Sequence, residues 1–229
     1  MSDISTPLSD PARVRAALAT AAVPPVPRAP DATGMAWVRA SVARFSDGDE
    51  HRRRRELILD ELRRISPEPL RARARQLAGQ PHAHVRALAE ALGLPGVSAA
   101  TVAVAASGYL PPAPVTEAVD RAVAELVAAC GGRADEVTAA RISILIQACG
   151  ATAGLLERAH AADPGPVEDV LDAVLRHDPP VRRTRRLLDG IVTELDIAAA
   201  ALPFGAGPHE CPGRAHALAL AAGILEGIR

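Results

Sequence analysis

The chain has 229 residues, a formal net charge of −1, 48% apolar and 23% charged residues. This composition excludes a collagen-like, wholly disordered or disulfide-scaffold protein and allows one large domain or two small ones. The balanced charge gives no electrostatic case for nucleic acid or an anionic membrane, and 2% aromatic residues are too few for a base-stacking platform.

In chain order, residues 11–22 form a short helix candidate. A Pro-rich link follows, Val23-Pro-Pro-Val-Pro-Arg-Ala-Pro30, and reads as extended. Residues 1–34 are therefore an N-terminal segment, with a single helical domain expected over 35–229. Helical periodicity starts near Met35. Asp47 or Asp49 is placed to cap a helix over 51–65, where Leu57, Ile58, Glu61 and Leu62 recur at helical spacing. The next helix covers 69–78, with Pro67 suited to its first turn. Another covers 84–92 and is closed by Gly93 and Pro95. Residues 97–107 are nearly all small and apolar, so burial is expected there. An amphipathic helix over 115–130 stops at Gly131-Gly132. Asp135 opens the longest helix, to 162, whose centre is apolar almost all round and reads as a central buried helix. Pro166 and Glu168 start another that ends before Pro179-Pro180. Only 190–197 reads as a strand. After a Gly- and Pro-rich loop, a last helix covers 213–227. About eight helices make the class mainly α with little β structure.

Cys130, Cys149 and Cys211 form no CxxC pair, so no structural zinc site is expected. No basic segment followed by an apolar core opens the chain, and the apolar run 217–225 is too short to span a bilayer. The expectation is a cytoplasmic protein with reduced thiols and no membrane or nucleic-acid partner.

The loop Phe204-Gly-Ala-Gly-Pro-His-Glu-Cys-Pro-Gly-Arg214 carries one Cys and opens a helix. A thiolate there would face free N–H groups and the positive end of the helix dipole. Both lower a thiol pKa and suit a metal ligand. Gly205, Gly207 and Gly213 would let the backbone approach a flat ligand. His209 adds a donor two residues before the sulfur.

At these residues the chain resembles the cytochrome P450 family, whose heme-ligand signature is Phe-x-x-Gly-x-(His/Arg)-x-Cys-x-Gly. Phe204, Gly207, His209, Cys211 and Gly213 fill its fixed positions. The segment Phe45 to Arg55 resembles the entry to the family's C helix, where a His and an Arg one turn later reach the heme propionates; His51 and Arg55 take these places. Arg52 and Arg53 read as solvated. The segment Arg141 to Gly154 resembles the I helix over the distal face. Thr152 matches the family's proton-relay Thr, while Ala151 stands where the family has an acid. A Thr bonded to its own helix backbone is the competing reading of Thr152. Arg176 matches the Arg of the family's Glu-x-x-Arg pair, but Ala173 replaces the Glu. The segment Arg176 to Arg186 resembles the end of the family's K helix and the strand after it, where Arg186 matches a propionate contact.

The resemblance implies an abbreviated P450-like helical fold over 35–229 that binds heme b (iron protoporphyrin IX). Cys211 would be the iron ligand, and His51, Arg55, Arg186, Phe204, Gly207, His209 and Gly213 would be cofactor-binding residues. Thr152 would be the catalytic residue, below a small apolar pocket bordered by Ala148, Ala151 and Ala153. The implied activity is oxidation of a small organic substrate with O2 or peroxide, with a ferredoxin-type electron donor as a partner. Two further classes stay open: a heme-binding sensor, carrier or non-oxidative heme enzyme, and a degenerate partner protein without heme. Only 34 residues separate Arg176 from Cys211, so the family's β-rich segment and meander must be largely absent.

Overall fold

Ten α-helices and one two-stranded antiparallel hairpin make up residues 6–29 and 31–229, the part that this computed structural model describes. Helix α1 (Pro11–Thr20) starts on Asp10, whose carboxylate accepts the Arg13 N–H at 2.8 Å, with Pro at the first helical position. Helix α2 spans Gly34–Ser41 and α3 spans Gly48–Arg63. Asp47 stands at the N-cap position of α3 but does not cap it. Its carboxylate accepts the Val23 N–H at 3.0 Å and meets His209 instead. Helices α4 (Pro67–Leu77) and α5 (Ala83–Ala91) follow.

Helix α6 (Ala99–Ser107) departs from expectation. It buries only Val102 and Ala105, and Val104 is 40% exposed. Small side chains gave it apolar character without the bulk to fill a core. Helix α7 (Glu117–Ala129) stops at Gly131 and Gly132, both at positive φ.

Helix α8 (Glu136–Ala161) is the central element. Asp135 accepts the Thr138 N–H at 2.9 Å, and Ile142 and Leu145 are fully buried. By length and composition this helix could cross a membrane; in the fold it is the axis of the main core. The main core collects side chains of α2 to α8 and adds Leu220 and Ile224. A second cluster joins the end of α8 to α9 (Val167–His177) and α10 (Arg214–Ile228).

Strands β1 (Arg183–Leu188) and β2 (Ile191–Asp196) pair with Arg186 opposite Thr193. A two-residue turn joins them, with φ +49 at Asp189 and +80 at Gly190. Asp-Gly suits this turn because both residues must enter the left-handed region. A third cluster packs Val14 and Leu18 of α1 against Leu195, Ile197 and Leu202.

Helix α10 lies directly on α4. A Cβ at Gly223 would run into the Arg71 carbonyl oxygen, and one at Gly227 would lie 2.5 Å from the Arg75 oxygen. Glycine at these two positions therefore sets how closely the backbones approach. Arg71 closes the seam by pairing with Glu226 and, at 2.7 Å, with Glu168.

Candidate functional site

The loop between β2 and α10 is held by its own backbone. The Gly205 N–H donates to Leu202 at 2.8 Å, the Glu210 N–H to Gly207 at 3.0 Å, and the Cys211 N–H to Phe204 at 2.9 Å. Residues Gly207–His209 make a 3-10 turn. Gly207 has φ +70, and a Cβ there would lie 2.7 Å from the Leu18 carbonyl oxygen. Its glycine is thus required by α1, on top of any role toward a ligand. At Gly213 the protein makes no such demand: φ is −97, and a Cβ would meet only Leu62 Cδ1 at 3.9 Å. Phe204 is half-buried, with the Arg214 guanidinium 5.1 Å from its ring centre.

Cys211 is exposed, two residues before the N-cap of α10. Its thiol pKa lies above the ordinary value, against the expectation of a lowered one. Desolvation by the surrounding protein outweighs the Gly213 N–H and the charges of Arg55 and Arg44, which pull it down. Charging a sulfur among protein atoms costs more than the helix terminus returns.

Cationic side chains converge beside this loop. His51, 4% exposed, and His209 stack with ring centres 3.9 Å apart and planes 38° from parallel. Arg186, 5% exposed, points from β1 into the same region. Its Nη1 donates to the Arg185 carbonyl at 2.8 Å, and its Nε is buried without a partner. Arg55 is half-buried one turn along α3 from His51. Burial first, then Arg55, pushes the His51 pKa down; Asp47 opposes. Burial, then His51 and Arg186, pushes His209 down to about 4, although Asp47 Oδ1 lies 3.2 Å from its Nε2. The Arg186 guanidinium is pushed below its ordinary value by burial and by Arg44. A surface recess of ≈ 460 Å³ lies beside this cluster between α3 (His51, Arg55, Glu56 and the exposed Arg52 and Arg53) and Gly207-Pro208 of the loop; Arg186, His209 and Cys211 are not among its lining residues.

The fold therefore brings His51, Arg55, Arg186, His209 and Cys211 into one neighbourhood, framed by Phe204, Gly207 and Gly213. Thr152 stands apart. It is buried at 2% exposure in α8, and the hydrogen bonds of the cation cluster do not reach it among the described residues. One turn before it, the Cys149 carbonyl accepts from Nε2 of buried His84 at 3.0 Å. Arg176 is exposed and bonds only the Asp172 carbonyl of its own helix, so loss of the Glu at Ala173 leaves no buried charge.

Two participants, Asp47 and Arg44, and one buried residue outside the site, Arg54, were not legible in the sequence. Asp47 read as a helix cap; Arg44 carried no motif. Arg54 belonged to an Arg run, yet it is buried and pairs with Glu50 at 2.8 Å and Glu136 at 2.9 Å. Helical spacing was the usable signal for Arg54, since it lies three residues after the buried His51.

No family model and no curated protein matches the sequence. Solved structures do match the fold. P450BioI, in complex with an acyl carrier protein ligated to hexadec-9Z-enoic acid, aligns with TM-score 0.69 and 16% identity over 95% of this chain and 82% of that one. Ligand-free CYP164A2 of Mycobacterium smegmatis gives 0.64 and 18% over 96% and 82%. CYP154A1 of Streptomyces coelicolor A3(2) gives 0.64 and 17% over 96% and 82%. At such identities the likeness establishes architecture: the chain has a mainly α, abbreviated cytochrome P450-like fold.

Proposed function

We propose that the protein is a heme-thiolate oxidoreductase that oxidises a small organic substrate. The observation that carries this reading is the buried Arg186 guanidinium, with its Nε unpartnered, beside His51 and His209. Buried donors without acceptors are costly, and two guanidiniums beside imidazoles whose protonation burial disfavours leave N–H donors that an anion would satisfy. Heme b presents two carboxylates and one metal ion, which is the complement of these donors and the single nearby thiol. Among the described residues, no group of three or more His, Cys, Asp and Glu side chains could hold a metal ion. A metal at Cys211 would therefore have to bring its other ligands with it, as a porphyrin does.

In this reading His51, Arg55, Arg186 and His209 bind and orient the two carboxylates. Phe204, Gly207 and Gly213 frame the loop that presents the sulfur. A bound heme would supply one-electron and oxygen chemistry, with the thiolate feeding electron density to the iron. The Cys211 thiol must lose its proton to serve as ligand. Because burial holds that proton on, ligation releases it to solvent and weakens as pH falls. Thr152 is the hydroxyl on the central helix that would hold a proton near the substrate. Ala151 cannot replenish it, so any proton must come by solvent.

That gap favours a second reading, in which heme is bound for sensing, carriage or peroxide-driven and non-oxidative chemistry. A ferredoxin-type donor belongs only to the O2-dependent version. The test is turnover of a small organic probe by heme-loaded protein, with peroxide in one arm and ferredoxin, reductase and NADPH in the other. Oxidation in either arm supports the enzyme; full heme loading with turnover in neither supports the second reading. Thr152→Ala is expected to lower turnover and leave heme content unchanged. If heme content falls instead, Thr152 is a packing residue.

A further inference from the structure

We infer that the N-terminal segment 6–23 is a strap that holds the Cys211 loop in its folded conformation, so that strap and loop open together. The segment is fastened to both strands of the hairpin. Near its start, the Leu8 N–H donates to the Glu194 carbonyl at 2.9 Å, and the Asp196 N–H donates to the Leu8 carbonyl at 2.8 Å. At its end, the Leu187 N–H donates to the Ala22 carbonyl at 2.8 Å.

Between these fastenings α1 passes over the 3-10 turn of the loop. The contact is backbone on backbone: a Cβ at Gly207 would lie 2.7 Å from the Leu18 oxygen and 3.0 Å from Ala19 Cα. Val14 and Leu18 are fully or almost fully buried beneath α1, against the chain that leads into the loop. Asp47 adds a polar tie, with one carboxylate oxygen on the Val23 N–H and the other on His209.

The loop's own support is three backbone hydrogen bonds and the partly buried Phe204 and Ala206. Inside it, Gly205, Gly207 and the exposed Glu210 contribute no buried apolar surface, and its backbone bonds are few and local. Segments of that kind open at low free-energy cost unless another element covers them. The strap is the element that covers the turn, with Leu18 and Ala19 against Gly207. Its hold on the loop is independent of whether Cys211 ligates iron, because every contact named here is made by the protein alone.

Hydrogen exchange on the full chain tests this. In the wild-type protein the amides of Ala21 and Leu187 at the strap, and of Glu210 and Cys211 in the loop, should show protection factors that agree within about threefold. Leu18→Ala removes the main anchor of the strap without touching the loop. It should lower protection at all four amides by a common factor of about tenfold or more and leave the buried core of α7 unchanged. Strap amides that lose protection while Glu210 and Cys211 keep theirs would overturn the coupling. Should Leu18→Ala fail to fold, the wild-type comparison decides, because protection factors that differ by about a hundredfold would show two separate openings.

Discussion

The two sides of the Cys211 loop are built on opposite physics. On one side α10 runs from the loop onto α4 through Gly223 and Gly227, a seam so close that backbone meets backbone. It needs nothing more than the chain supplies. On the other side, His51, His209, Arg186 and Arg55 crowd together with Asp47 as the acid among them, and a buried guanidinium nitrogen lacks a partner. That side lacks acceptors. The difference is between a seam whose contacts the chain completes itself and a cluster that leaves a buried donor unpaired.

The comparison breaks first at the seam. Gly223→Val should cost about 3 kcal/mol or more, because its methyl groups would overlap the Arg71 carbonyl and Ala74. The check is the urea midpoint at unchanged m-value. Wild-type stability in this variant would mean that the helices separate freely and that the seam is not tight.

On the cationic side the sign should reverse. Arg186→Met should stabilise the heme-free protein by about 1–2 kcal/mol, since it removes a desolvated charge that Asp47 offsets only in part. The same variant should retain less heme. A loss of stability in heme-free protein would show that Arg186 is already satisfied.

Acid titration sharpens the same contrast. Burial holds His51 and His84 below the ordinary imidazole pKa near 6.5. Between that value and the lower folded pKa, the unfolded chain binds protons that the folded chain refuses. His209, held down to about 4, acts in the same direction, so heme-free protein should lose stability as pH falls through 6.5, by about 2 kcal/mol or more between pH 7 and pH 5. Urea midpoints at the two pH values measure it, and His51→Phe should flatten the slope. A profile that is flat in the wild type contradicts the burial of these rings.

The smallest effect is expected at Arg176. Arg176→Ala should change stability by less than about 0.5 kcal/mol, because the side chain is exposed and bonds only its own helix. A loss of about 3 kcal/mol would restore a buried, paired role.

The sequence carried the helices well where a cap and a stop bracket a periodic run. Asp135 to Ala162 and the Gly131-Gly132 stop are the clearest cases. Periodicity did not show β1, because Arg183-Thr-Arg-Arg has no apolar alternation, and only the family resemblance placed a strand there, although Asp189-Gly190 is a two-residue hairpin signal. Asp47 looked like a cap by local chemistry, and tertiary partners 24 and 162 residues away claimed its carboxylate. The signature loop was legible as a motif, but the reason for Gly207 was not, since Leu18 lies far off in sequence. The direction of the Cys211 pKa was also hidden, because desolvation depends on neighbours that only the fold assembles.

The account rests on Cys211 as a heme ligand beside a cluster of Arg and His donors that would hold two carboxylates. The most direct measurement is the absorption spectrum of the reduced, CO-treated protein with iron quantified, for the wild type and for Cys211→Ser. The account predicts stoichiometric iron and the red-shifted Soret band of thiolate-bound heme in the wild type, lost in Cys211→Ser and kept when Cys130 or Cys149 is changed to Ser. An unchanged Soret band in Cys211→Ser, or a wild-type protein that takes up no heme, would contradict it.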